Sequence, residues 1–283
     1  MGDAVPRKTV LARFLRHRGA AAGLFIVATL LLVALFAPWL SPVDPNAQDL
    51  DSGLSGPSAG HWLGQDKLGR DLLSRLIHGA RISVAVGLGT VSISLSVGLL
   101  AGALSGFFGG KVDHLFMRLA DILLAFPGIL LAIGITAVLG PSLRNVLVAL
   151  SLLGWVGYAR LIRGQVLKVK EMEFVQSARA AGSPPVRLLL AHILPNALSP
   201  VIVEATFGIA RAIVAEAGLS FLGLGVAPPA PSWGAMINEG RHLLFIAPHI
   251  TTVPGLAIMA TVMAFNFIGD GLRDAMDVRE QIL

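Results

Sequence analysis

The sequence predicts an all-α polytopic membrane protein with six transmembrane helices and both termini on the cytoplasmic side. Three observations carry that reading. Apolar residues make up 54% of the 283-residue chain, and glycine raises the share to about 65%, against 45–50% in soluble domains. Charged residues are only 14%, so a soluble globule of this size could not cover its apolar content, and a disordered chain would need the opposite composition. Six charge-poor stretches approach the roughly 20 residues that a helix needs to cross the hydrocarbon core.

The first stretch, Ala20 to Leu40, carries no charge. It follows Arg7, Lys8, Arg13, Arg16 and Arg18, a basic start that imitates a secretory signal. Its 21 residues exceed a signal core of about 7 to 15, however, and no A-x-A site follows, so it reads as an anchor. The second stretch, Ile82 to Gly110, is also uncharged. The third, Ile122 to Leu143, is expected as one helix beginning near Leu115. Asn145 to Ala159, the fourth, is short unless Arg160 and Arg163 snorkel at its end. The fifth, about Ala197 to Leu224, contains Glu204, Arg211 and Glu216. The sixth lies between Arg241 and Asp270, with its membrane part beginning near Ile246.

A cytoplasmic N-terminus places fifteen Lys and Arg inside and six outside, with Arg211 inside a span, and this bias selects N-in and C-in. The net charge of +5 therefore reflects cytoplasmic loops facing anionic lipid headgroups and gives no reason to invoke nucleic acid. The absence of Cys excludes disulfides, thiolate metal sites and Cys nucleophiles. Residues 1–80 read as a cytoplasmic tail, the first span and an outer loop. Residues 81–283 hold the other five spans and a long cytoplasmic loop, 164–195. The Pro-rich segment between Gly225 and Arg241 is expected to resist helix and to pack at the outer surface, with Trp233 as an interfacial anchor.

The cytoplasmic loop is the most informative segment. Its residues up to Ala181 favour helix, and Gly182 can take the left-handed conformation that ends one. Ser183 can then cap a second helix with Pro184 at its first position. On that helix Val186, Leu189, Leu190, Ile193 and Leu194 form an apolar stripe that fits either a docking surface or a lipid-resting face. On the outer side, the two glycines and three charges of Gly64, Asp66, Gly69, Arg70 and Asp71 suggest a tight self-bonded loop, with Asp71 able to cap the next helix. Closure of the outer surface explains these residues more simply than substrate contact.

The pattern Gln176-Ser177-Ala178-x3-Gly182-x9-His192-x-Leu194-Pro195 resembles the E-A-A-x3-G-x9-I-x-L-P loop of ABC importer permeases, with the spacing intact. Gln176 stands where that family has Glu, Ser177 where it has Ala and His192 where it has Ile. His61-x-Leu63-Gly64-Gln65-Asp66-x2-Gly69-Arg70-Asp71-x2-Ser74-Arg75 and Gly269-Asp270-Gly271-x-Arg273-Asp274-x2-Asp277 are similar to motifs of the C-type permease subunit of dipeptide, oligopeptide and nickel importers. Val278 replaces the Pro that usually continues the last motif.

The resemblance spans nearly the whole chain and implies a type I ABC importer permease fold, in a bacterial inner membrane protein that forms half of a pathway for peptides. Nickel is the alternative cargo, with glutathione or oligosaccharides also compatible. It further implies a B-type permease partner, two ATP-binding subunits that carry ATP and Mg, and an external substrate-binding protein, with no cofactor in this chain. The loop around Gln176, Ser177, Ala178, Gly182, Leu194 and Pro195 would dock into the ATPase and couple its closure to the membrane helices.

Ionisable residues inside spans are costly enough to be functional candidates, which selects Asp121, Glu204, Arg211 and Glu216 for the pathway or its gate. Glu204 and Arg211 lie about 10 Å apart along a helix, so each is expected to find its partner outside its own helix. No G-x4-G-K-[ST] or H-E-x-x-H occurs, so no enzyme is indicated. The G-x-S-G at Gly53 to Gly56, a rhomboid-protease spelling, falls in a loop instead of a membrane helix. His242 and His249 are too isolated to suggest a metal site. A self-sufficient secondary transporter, the rival class, would typically show internal repeats, and none is evident.

Overall fold

The computed structural model describes residues 10–276; Arg7, Lys8, Asp277, Val278 and Arg279 lie outside them. Among the described residues the regular structure is helical, apart from a single β-bridge between Gln65 and Asp71. Short α1 (Val10–Arg16) leads into α2 (Arg18–Leu35), the first span, and a one-turn α3 (Ala37–Leu40). Helix α4 (Leu72–Phe108) has 37 residues, about 55 Å, against a hydrocarbon core of about 30 Å. It begins ten residues before Ile82, because Asp71 caps it by accepting from the Ser74 amide at 2.7 Å, and its extra turns project outside. The boundary expected at 80/81 therefore falls inside a continuous helix.

The third span differs from expectation. Instead of one helix from near Leu115, α5 (Gly110–Leu124) and α6 (Gly128–Leu139) meet at 83°. Pro127 lacks an N–H and forces Phe126 out of helical geometry, which explains the break. Helix α7 (Leu143–Lys170) runs well past Ala159. Arg160 and Arg163 do not snorkel; they pair with Asp121 and Asp113 of α5.

The cytoplasmic loop folds as α8 (Glu173–Ala180), then a bent rod of α9 (Pro185–Arg187), a π-helical stretch over Leu188–Ile193 and α10 (Leu194–Ala197). The rod meets α11 (Ser199–Phe221) at 57°. Contrary to expectation, part of the Pro-rich segment is helical: α12 (Trp233–Gly240) begins where the Ser232 hydroxyl accepts from the Ala235 amide. Trp233 is buried against α4, its indole N–H donating to the Leu76 carbonyl at 3.0 Å, so it is a packing residue and not an interfacial anchor. Helix α13 (His249–Met276) closes the bundle. Four helices are long and apolar enough to cross a membrane, and six spans result when each bent pair counts as one.

The tightest seam joins α4 to α7. Gly98, Gly102 and Gly106 recur every fourth residue on α4, and a Cβ at Gly98 or Gly106 would lie 2.8 or 2.9 Å from the Trp155 or Arg163 carbonyl oxygen. A Cβ at Gly102 would collide with the Ala159 carbonyl. Lipid supplies no hydrophobic force between helices, so close backbone approach through small residues has to hold them together.

The absence of Cys makes the topology directly testable. Ser52→Cys and Ala230→Cys are expected to react with an impermeant thiol reagent from outside, and Ser177→Cys only after permeabilisation. The reverse pattern would overturn the orientation.

Candidate functional site

The outer loop is closed on itself. Positive φ at Gly64 (+83°) and Gly69 (+70°) lets the chain double back, and at Gly69 any Cβ would strike the Asp49 carbonyl. Asp66, Arg70 and Asp71 are all buried. The Asp66 carboxylate accepts from the Arg70 guanidinium at 2.6 Å, and Arg70 reaches Glu239 of α12 at 2.6 Å. Arg75, also buried, lies 3.5 Å from both Asp66 and Glu239. Asp71 caps α4 and meets His61 at 2.9 Å. Two cations and two carboxylates thus balance in one buried knot that ties the outer loop, α4 and α12. The self-bonding expected from its glycines and charges is what the chain forms.

Within the membrane the candidate charges separate into three places. Asp121 pairs with Arg160, and Asp113 takes a bidentate grip from Arg163 at 2.6 and 2.7 Å; both pairs line a cavity of about 580 Å³ toward the cytoplasmic side. Arg211 lines two cavities, of about 600 and 490 Å³, between α4, α6, α7, α11 and α13. Contrary to expectation, Glu204 and Arg211 do pair within α11. Two turns separate them, but both side chains are long enough to extend along the helix surface and meet midway.

Glu216 stands apart. It is fully buried, one oxygen accepting from Ser220 at 2.6 Å, and it lines neither Arg211 cavity. His242 accepts from Arg241, and no group of three or more His, Asp or Glu suited to a metal occurs among the described residues.

In the cytoplasmic loop, α8 ends as its sequence suggests. Gly182 adopts φ +82°, its amide donating to Arg179 and the Ser183 amide to Ala178, so the last carbonyls are satisfied. The second helix starts one residue later than expected: Pro184 precedes it, Pro185 is its first residue, and Ser183 does not cap it. The apolar stripe also differs. Leu188, Leu189 and Ile193 are buried, while Val186 and Leu190 are exposed, because the π-helical stretch interrupts the 3.6-residue period. Gln176 donates to the Lys170 carbonyl at 3.1 Å, bracing α8 against the end of α7. Ser177 is exposed, Ala178 and Leu194 half-buried, and Pro195 lies at the head of α10.

Glu239, Asp113 and Tyr158 escaped the sequence reading. Glu239 meets Arg70 across 169 residues, and no local pattern announces that contact. The Gly98-x3-Gly102-x3-Gly106 spacing, by contrast, was readable as a close-packing signal.

A polytopic helical bundle with internal cavities and a long helical loop at one end is the architecture of an integral membrane protein. The chain belongs to the family described as binding-protein-dependent transport system inner membrane component, whose model matches residues 98–281. Residues 6–57 match the N-terminal TM domain of oligopeptide transport permease C. The glutathione transport system permease protein GsiD of Pectobacterium atrosepticum is 46% identical over 274 residues, 96% of this chain and 91% of that protein. GsiD of Escherichia coli O6:K15:H31 is 48% identical over 267 residues, 94% and 88% of the two chains.

The fold is similar to the inward-facing MetNI methionine ABC transporter, with a TM-score of 0.59 at 20% identity over 71% of this chain and 96% of that one. It is also similar to an amino acid ABC transporter with histidines, with a TM-score of 0.56 at 14% identity over 70% and 92%. The protein is accordingly a non-catalytic, multi-pass permease of the bacterial inner membrane with a type I importer fold, working with ATPase and substrate-binding partners.

The outer knot yields a stability test. Asp66→Ala leaves two buried guanidinium groups sharing Glu239 alone, and breaking a buried pair costs about 3–5 kcal/mol. Thermal unfolding of the detergent-solubilised complex should shift down sharply, with Lys67→Ala, at the exposed side of the same loop, as the unshifted control. Equal curves would contradict the buried-knot assignment.

Proposed function

We propose that the chain forms one half of a peptide translocation pathway, beside a B-type permease subunit, with two ATP-binding subunits holding ATP and Mg and an external binding protein delivering cargo. The observation that carries this is the match of the N-terminal segment to oligopeptide permease C together with near-full-length relatives named as glutathione permeases, glutathione being a small peptide. Residues 81–283 act as the permease core, and the loop 164–195 couples it to the ATPases.

Gly182 gives that loop its sharp reversal, Gln176 braces α8, and Ser177 and Ala178 share the face near it. Phe174, Val186 and Leu190 present apolar surface there beyond the membrane, as a docking site requires. Leu194 and Pro195 carry motion into α11 across the 57° bend. Arg211 and Glu204 line the pathway at mid-depth and Asp121 lines its cytoplasmic part. Glu216, buried at the outer end of α11, helps hold the outer gate. Gly64, Asp66, Gly69, Arg70 and Asp71 keep the outer surface closed around it.

Affinity purification of the tagged chain from its native operon should bring down two ATP-binding chains and a second permease. Gly182→Arg places a large side chain at a left-handed position on the docking face. It should abolish transport while leaving membrane insertion intact. Unchanged uptake in that variant would refute the coupling role.

A further inference from the structure

Arg211 is the thirteenth of the 23 residues of α11, midway along that helix, and a cation within a span is expensive. Its side chain is nevertheless 61% exposed, and its partner Glu204 is 39% exposed. A charged pair held within a span is costly enough to be a functional candidate by default. Arg211 is also the one charged residue, among those described, that lines the 600 Å³ cavity.

Two residues that border this cavity carry hydroxyls that lack partners and are closed off from it in this conformation. Tyr158 is only 5% exposed, and its hydroxyl makes no hydrogen bond among the described residues. It points at Gly208 of α11, where any Cβ would occupy its position. The buried Thr90 hydroxyl, also lining the cavity, is likewise unpartnered. Buried hydroxyls without partners are rare in native structures and call for an explanation. The volume falls within the range of small-molecule sites.

We infer that this cavity is a cargo site for small peptides with a free carboxylate, and that Glu204 is the internal substitute which the cargo displaces from Arg211. This rests on the peptide permease reading above. The guanidinium offers the planar fork that matches a carboxylate. Glu204 supplies an anion to it between transport cycles, so the cation never stands alone in the membrane. An arriving carboxylate exchanges with Glu204 with no change in total charge, and the Tyr158 and Thr90 hydroxyls take up its peptide carbonyls once α7 and α11 part enough to open them to the cavity. As Glu204 swings free it lies on the cytoplasmic side of Arg211, beside a further cavity that reaches Arg273, so the exchange has a direction.

The test is uptake into proteoliposomes holding the full complex and its binding protein, with tritiated glutathione and tritiated alanyl-alanine as probes, at matched amounts of assembled complex. Arg211→Gln should lower uptake by at least about tenfold, the loss expected for a charge-assisted hydrogen bond, and Tyr158→Phe by a smaller factor. Glu204→Gln, which removes the competitor, should raise uptake at subsaturating probe. The exchange Glu204→Arg with Arg211→Glu should fail to restore it. Equal losses in both single variants with rescue by the exchange would overturn the inference and show a structural brace. Import of neither probe by the wild-type complex would overturn the peptide reading itself, and the inference with it.

Discussion

The close approach of α4 and α7 is the constraint on which the rest depends. Inside a bilayer, apolar surface gains nothing by leaving lipid for protein, so helices must be held by backbone proximity and by polar contacts that lipid cannot supply. Gly98, Gly102 and Gly106 provide the first, bringing α4 within van der Waals range of the α7 backbone. Lys170 provides the second at the cytoplasmic end of the seam, donating to the Phe107 carbonyl at 2.9 Å. With two long helices locked together, the broken pair α5/α6 and the bent rod leading into α11 pack around them. The gaps these imperfect helices leave are the cavities that Arg211 and Asp121 line.

The two ends of the bundle are built differently, as their surroundings require. Outside, the chain commits three buried charges, the half-buried Glu239 and several loop hydrogen bonds to a cap that joins the segment before α4 to α12. Inside, α8 and the bent rod are tied by a helix-ending glycine and a few side-chain contacts, and they leave apolar residues exposed. Helix α11 runs between the two, entered through a bend at one end and carrying the buried Glu216 near the other. A displacement of the inner loop therefore has one continuous element along which to travel, past Glu204 and Arg211.

Much of this was legible in residues taken in order. Hydropathy was enough to locate the spans, because lipid imposes a length, but not the break at Pro127 in the third or the extension of the fourth to Lys170. Asp71 as a cap and Gly182 as a helix end were legible because both are local backbone requirements. What escaped depends on distance or on exact phase. Glu239 in the outer knot and Trp233 against Leu76 are contacts between segments more than 150 residues apart. The one-residue shift at Pro185 and the π-helical stretch changed which leucines face inward. Glu204 and Arg211 were judged from Cα separation, whereas two extended side chains together bridge two turns.

The account stands or falls on whether the chain works as part of an ATP-driven machine. The most direct measurement is glutathione uptake into proteoliposomes made with the chain alone or with its full set of partners, each with and without ATP and with and without an imposed proton gradient. The account predicts uptake only when the partners, the loaded binding protein and ATP are all present. Uptake by the chain alone, driven by the gradient, would contradict it.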